Sequence, residues 1–128
     1  MRTPILIIEN NRSHLQIESL ALAEENFDIH SAGSAEEAFR QLGEFQPELI
    51  LMGFELPDMD GLELTRQLKA DPRYQHITIV AVTAHGMPED RIAAFQAGCD
   101  GYISKPIDVE KFPQLINDYI VKAKKNNI

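Results

Sequence analysis

The chain has 128 residues, and 12 Lys and Arg against 20 Asp and Glu leave a formal net charge of −8. That length, with 44% hydrophobic and 25% charged residues, suits one globular core and excludes a disordered or fibrous chain. The acidic balance disfavours sequence-independent nucleic-acid binding, the apolar runs are far too short to span a membrane, and the single cysteine, Cys99, makes no internal disulfide, so a cytoplasmic protein is expected.

In chain order, the apolar run Ile5 to Ile8 predicts a strand buried on both faces, and Asn11 behind it is a helix cap. Phe27 to Ala32 is a weaker strand, nearer an edge. Ser34 to Glu37 reads as a capping box, opening a helix whose apolar face is Ala35, Ala38, Phe39 and Leu42. Leu49 to Met52 is a second buried strand. Pro57 and Gly61 place Asp58 and Asp60 in a solvent-facing turn that leads to the helix of Leu64 and Leu68. The third buried run is Ile77 to Val82. Pro88 suits a first helical position and Gly98 a stop for the segment holding Ile92 and Phe95. Gly101 to Ser104 is another weak strand. Asp108 then caps a last helix with the stripe Phe112, Leu115, Ile116, Tyr119 and Ile120, bent by Pro113 one turn in. Lys122, Lys124 and Lys125 are cations at its C-terminus rather than a nucleic-acid arm. Residues 1–124 read as the domain and 125–128 as a short basic and polar tail.

Strand and helix alternate five times with no linker, which implies a parallel sheet covered by helices on both faces. In open sheets of this kind ligand sites lie beyond the carboxyl ends of the strands, where strand order reverses. That rule singles out Glu9 and Asn10, Gly53, Thr83 and Ala84, and Lys105 and Pro106.

The segments Ile5 to Asn11, Leu49 to Gly61, Val82 to Ala84 and Gly98 to Pro106, in this order and at this spacing, make the chain resemble the receiver domain of two-component response regulators. The resemblance implies a doubly wound, flavodoxin-like (CheY-like) α/β fold, a five-stranded parallel sheet of order 2-1-3-4-5 with five helices. It also implies a role in phosphorelay signalling. In that family a histidine kinase passes a phosphoryl group to an aspartate at the end of the third strand, with Mg²⁺ held by an acidic pair after the first strand. A hydroxyl residue on the fourth strand and a lysine after the fifth contact the phosphoryl oxygens.

Carboxylate attack on an anionic phosphoryl group needs positive charge to neutralise what develops, which is why Mg²⁺ and a lysine belong to that chemistry. By the resemblance this chain carries Gly53 at the acceptor position and Asn10 at the second acidic position. Of three carboxylates only Glu9 remains, so strong Mg²⁺ binding loses its electrostatic reason and is expected to be weak or absent, with Glu9 and the Glu55 carbonyl the only candidate ligands. Glu9 and Lys105 are free to pair directly, and a closed or water-filled pocket without phosphate is expected. Thr83, Ala84 and Lys105 are pocket remnants, Thr83 and Tyr102 match the family's switch pair, and Lys105-Pro106 matches a turn that often carries a cis peptide in relatives.

The function expected is therefore a phosphorylation-independent interaction module, not an enzyme. Its partner would be a histidine kinase, a phosphotransfer protein or an output protein, docked on the last two helices and fifth strand: Met87 to Gln96, Tyr102 and Lys111 to Lys122. A homodimer stays open, as does membership of a larger regulator or hybrid kinase.

Other readings exist. Gly53 alone fits close backbone approach or a bulge, and Glu9 and Asn10 fit loop and cap positions. Glu55, Asp58 or Asp60 is a surrogate acceptor in one alternative, and in another Gly53 and Asn10 arise from engineering or sequence error in a conventional receiver. Asp58-Met59-Asp60 superficially resembles the paired aspartates of Mg²⁺-dependent phosphohydrolases, but Phe54 to Pro57 separate them from the strand end. His14, His30, His76 and His85 share no ligand spacing and read as surface or loop residues, and Cys99 as a small buried apolar group.

Overall fold

A computed structural model describes residues 2–23, 26–84 and 86–126. Five strands, β1 (Thr3–Ile8), β2 (Phe27–Ala32), β3 (Leu49–Met52), β4 (Thr78–Thr83) and β5 (Gly101–Ser104), alternate with α1 (Arg12–Leu22), α2 (Ala35–Leu42), α3 (Gly61–Ala70), α4 (Pro88–Ala97) and α5 (Phe112–Asn126). The strands pair in parallel in the order β2-β1-β3-β4-β5.

Ile5 to Ile8 and the whole of β3 and β4 are buried because both sheet faces are covered. Side chains alternate between faces along each strand. Leu6, Ile8, Ile50, Met52, Ile79 and Ala81 face one core, closed by Ala35, Ala38 and Leu42 of α2, Leu64 and Leu68 of α3, and Ala94 of α4. Ile5, Ile7, Leu49, Leu51, Val80 and Val82 face the other, closed by Leu22 of α1 and Phe112, Ile116 and Ile120 of α5. Cys99 is a free thiol buried in the first core.

Two helices, α2 and α5, bury a narrower stripe than their sequences predict. Leu115 is 42% exposed, outside the stripe of Phe112, Ile116 and Ile120, and Phe39 reaches 36%. In α4 the buried residues are Ala94 and Ala97, while Ile92 and Phe95 face outward. Pro88 is the first residue of α4, and Gly98 ends it at φ 113°, in the left-handed region that favours glycine.

The helix ends show further differences. Asp108 accepts from the backbone N–H groups of Glu110 and Lys111, forming a turn ahead of α5. Pro113 is then the second residue of α5, in the first turn, where its missing N–H leaves no helical hydrogen bond unmade, so the bend expected from it has no cause. The same helix continues through Lys125 and Asn126, two residues into the segment read as a tail; residues 127 and 128 lie outside the described chain. Among the described residues no helix is long and apolar enough to cross a membrane.

Asn11 caps α1 by accepting from the His14 N–H, and Ser34 caps α2 by accepting from the Glu37 N–H. The Glu37 carboxylate does not return to Ser34, as a capping box requires, but accepts from the Gly33 N–H. Asp58 does the rest. Both of its oxygens accept from the first turn of α2, from the Ala35 and Glu36 N–H groups at 2.9 Å each, which also holds its carboxyl pKa below the usual range. Asp58→Ala should lower the urea midpoint, and the contribution it removes is present above the unfolded carboxyl pKa and lost as pH falls through the lower folded one.

Candidate functional site

The register places Ile8 beside Met52, Met52 beside Ala81 and Thr83 beside Ser104, so the residues that follow these strands meet at one edge of the sheet. β1 lies between β2 and β3, and chain direction across the sheet reverses there. Glu9, Asn10, Glu55, Thr83, Ala84 and Lys105 line one polar cavity of about 230 Å³ at this edge, together with Asn11, His14, Phe54 and Val82.

An ion pair dominates it. Lys105 Nζ donates to Glu9 Oε1 at 2.6 Å, and both side chains are largely shielded, at 14% and 8% exposure. The other Glu9 oxygen accepts from the Asn11 N–H at 3.0 Å. Lys105 Nζ also lies 2.8 Å from His14 Nδ1, and since an ammonium has no acceptor, Nδ1 accepts and the ring proton sits on Nε2. Asn10 and Ala84 are exposed, Thr83 is buried and Glu55 is exposed. Lys105-Pro106 is a cis peptide, as the resemblance led one to expect.

Gly53 is buried at the tip of β3, and its N–H donates to the Ile8 carbonyl at 2.8 Å. A Cβ added there would stand 2.9 Å from that same carbonyl oxygen and 3.5 Å from Glu9 Oε1. Any side chain at residue 53 would therefore require the ends of β1 and β3 to shift. Among the described residues no three His, Cys, Asp or Glu side chains are grouped so as to hold a metal ion.

Tyr102 is half-buried against the first core, with its hydroxyl buried and without a hydrogen-bond partner among the described residues, and burial raises its pKa. The Arg91 guanidinium lies 5.8 Å from the Tyr102 ring centre and 5.7 Å from that of Phe95.

Sequence reasoning missed two residues of this region. His14, read as a surface or loop residue, is a half-buried residue of α1 that meets Lys105. Glu18, one turn further along α1, is only 2% exposed, and its Oε2 has no hydrogen-bond partner among the described residues. Its pKa rises from 4.5 to about 7, through burial first and the negative charge of Glu9 second, against a smaller lowering by Lys105. The signal for Glu18 was its spacing: it falls on the stripe of Leu15 and Leu22, where an apolar residue belongs. Of the other histidines, His30 sits on β2 against Asp28 and Phe45, His76 bonds Gln46 at the surface, and His85 lies outside the described residues.

A protein-family model, the response regulator receiver domain, matches residues 5–117. The chain belongs to the response regulator receiver family. Among curated relatives, the receiver is 36% identical over 123 residues to the polar-differentiation response regulator DivK of Brucella ovis, a match that covers 96% of this chain and all of that protein. Among solved structures, it superposes on a putative response regulator from Chloroflexus aurantiacus with a TM-score of 0.90 at 24% identity, covering 94% of this chain and 99% of that one. A CheY-like receiver domain protein from Methanospirillum hungatei gives a TM-score of 0.88 at 24% identity, covering 98% and 99%. The chain is thus a receiver of two-component signalling with the CheY-like fold, and receivers work by engaging protein partners.

Proposed function

We propose that this receiver signals by contact alone, without accepting a phosphoryl group, Gly53 standing where the family's acceptor aspartate would be. The observation that carries the reading is the Ile8 carbonyl, 2.9 Å from where even the first side-chain atom of residue 53 would lie. The Glu9–Lys105 pair supports it, since each group already satisfies the charge that a metal and a phosphoryl group would otherwise meet. Mg²⁺ does not fit the donors present: Glu9 is engaged by Lys105 and Asn11, and Asn10 offers a neutral amide where a carboxylate would be needed.

Two of the three surrogate acceptors are engaged elsewhere. Asp58 holds the start of α2, and Asp60 caps α3 by accepting from the Leu62 N–H at 2.7 Å. With Thr83 buried and the Tyr102 hydroxyl turned in, both positions of the switch pair rest in one state. The proposed contact face is α4, β5 and α5, where Met87, Ile92 and Phe95 are 59%, 57% and 41% exposed beside Arg91 and Tyr102. A partner that binds this resting state is read as the source and destination of the signal, and no catalysis is assigned to the chain.

Incubation of the purified chain with acetyl phosphate and Mg²⁺ should leave its intact mass unchanged. A gain of one phosphoryl mass that hydroxylamine removes would overturn the proposal.

A further inference from the structure

A second recess of about 560 Å³ opens next to the polar cavity, between α1 and the segment that follows β5. We propose that it binds a small amphipathic amine, an apolar body carrying one cationic, hydrogen-bond-donating head that pairs with Glu18. Such binding does not depend on how residue 53 behaves.

The walls set the body of the ligand. Ile17, Ala84, Pro106, Ile107 and Val109 are the apolar side of the lining, and Ile17 and Val109 remain 46% and 51% exposed although both belong to a concave surface. A recess of this size is in the range that small organic ligands fill, about 300 to 1,000 Å³. Its apolar walls leave the choice of head group to the few polar side chains that reach it.

Those side chains are His14, Glu18 and Lys105. Lys105 is already committed to Glu9 at 2.6 Å and to His14 Nδ1 at 2.8 Å. Glu18 is different: it is 2% exposed, and its Oε2 is closed to water and has no hydrogen-bond partner among the described residues. A carboxyl removed from water with an unmet acceptor is a standing cost to the fold, and a donor arriving from the recess would relieve it. A partial rotation about the terminal carbon–carbon bond, which is soft in glutamate, turns the buried oxygen toward the recess and the incoming head.

The sign of the charge follows from the same residues. Glu9 and Lys105 cancel, so an ionised Glu18 leaves this end of the recess negative, and a ligand carboxylate would face Glu18 without a free cation to receive it. The pKa of Glu18, raised to about 7, means that the ionised form is within easy reach of an incoming ammonium group at neutral pH. Ala84 and Lys105 line both the recess and the polar cavity, so an occupant would touch the same side chains that border the strand ends.

The test is an amide NMR titration of the whole chain with 2-phenylethylamine, and in parallel with the neutral 2-phenylethanol and the anionic phenylacetate, at slightly alkaline pH. The amine should give saturable shifts at Ile17, Glu18 and Lys105 through Val109. The alcohol should bind about tenfold more weakly at the same residues, and phenylacetate should not bind, because the charge-assisted contact is lost or reversed. In Glu18→Gln, which keeps the shape and removes the charge, amine and alcohol should bind alike. Absence of saturable shifts with the amine, equal affinity for the alcohol in the unmodified protein, or an amine preference retained in Glu18→Gln would each overturn the proposal.

Discussion

Glu18→Leu should stabilise this protein, and by about 2–3 kcal/mol more above neutral pH than near pH 4. Glu18 is 2% exposed on the face of α1 that carries Leu22, and burial is the main reason its pKa rises from 4.5 to about 7. Between those two values the folded chain holds a proton that the unfolded chain has released. The unfolded state therefore binds fewer protons, and stability falls as pH rises through this window, levelling off above about 7. A pKa raised this far corresponds to a loss of about 3 kcal/mol. Leucine has a similar volume and nothing to ionise, so it removes both the slope and the unmet acceptor. Urea melts of the two proteins between pH 4 and 8 supply the measurement, read as the difference between them. Asp58 and Asp71, whose pKa values are lowered, contribute the opposite slope equally to both. Glu18→Gln should remove the slope yet recover less stability, since an amide in the same place still needs partners. Parallel curves for the unmodified protein and Glu18→Leu would mean that Glu18 is solvated in both protonation states.

The strands were legible because burial on both faces of a parallel sheet leaves a run of branched apolar residues, and Ile5 to Ile8 and Leu49 to Met52 carry that mark without interruption. From strand order and length it follows that Glu9 and Lys105 end at the same edge, and opposite charges at one edge made their pairing foreseeable. What sits beside them was not foreseeable in the same way. His14 reaches Lys105 across 91 residues, and Asp58 reaches α2 across 23 and 22, contacts that no local pattern encodes. The helices were over-read for a related reason. Apolar spacing marks a face that can be buried, whereas Phe39 and Leu115 show that the sheet covers only part of it. Pro113 was misplaced because Asp108 caps a separate turn, and the helix proper starts three residues later than the cap suggested.

Gly53→Asp should destabilise the fold on its own, by about 1–3 kcal/mol. The new Cβ would meet the Ile8 carbonyl oxygen at 2.9 Å, and that oxygen is fixed, because it already accepts the hydrogen bond from residue 53 in the centre of the sheet. Relief requires the β1 and β3 ends to part, and the new carboxylate would then stand near Glu9, whose Oε1 is 3.5 Å from the added Cβ. Adding Asn10→Asp brings a further negative charge to the same edge, where Lys105 is the one cation lining the cavity among the described residues. The double variant should therefore be the least stable of the three without added cation, and Mg²⁺ should raise its urea midpoint while leaving that of the unmodified protein unchanged. If residue 53 is the acceptor position, acetyl phosphate with Mg²⁺ should label the double variant and not the unmodified chain. A double variant that folds, gains nothing from Mg²⁺ and takes no label would show that more than two side chains separate this strand edge from a working phosphoryl acceptor. The close approach of Ile8 to residue 53 would then be an independent departure, built into the backbone rather than into the choice of side chain.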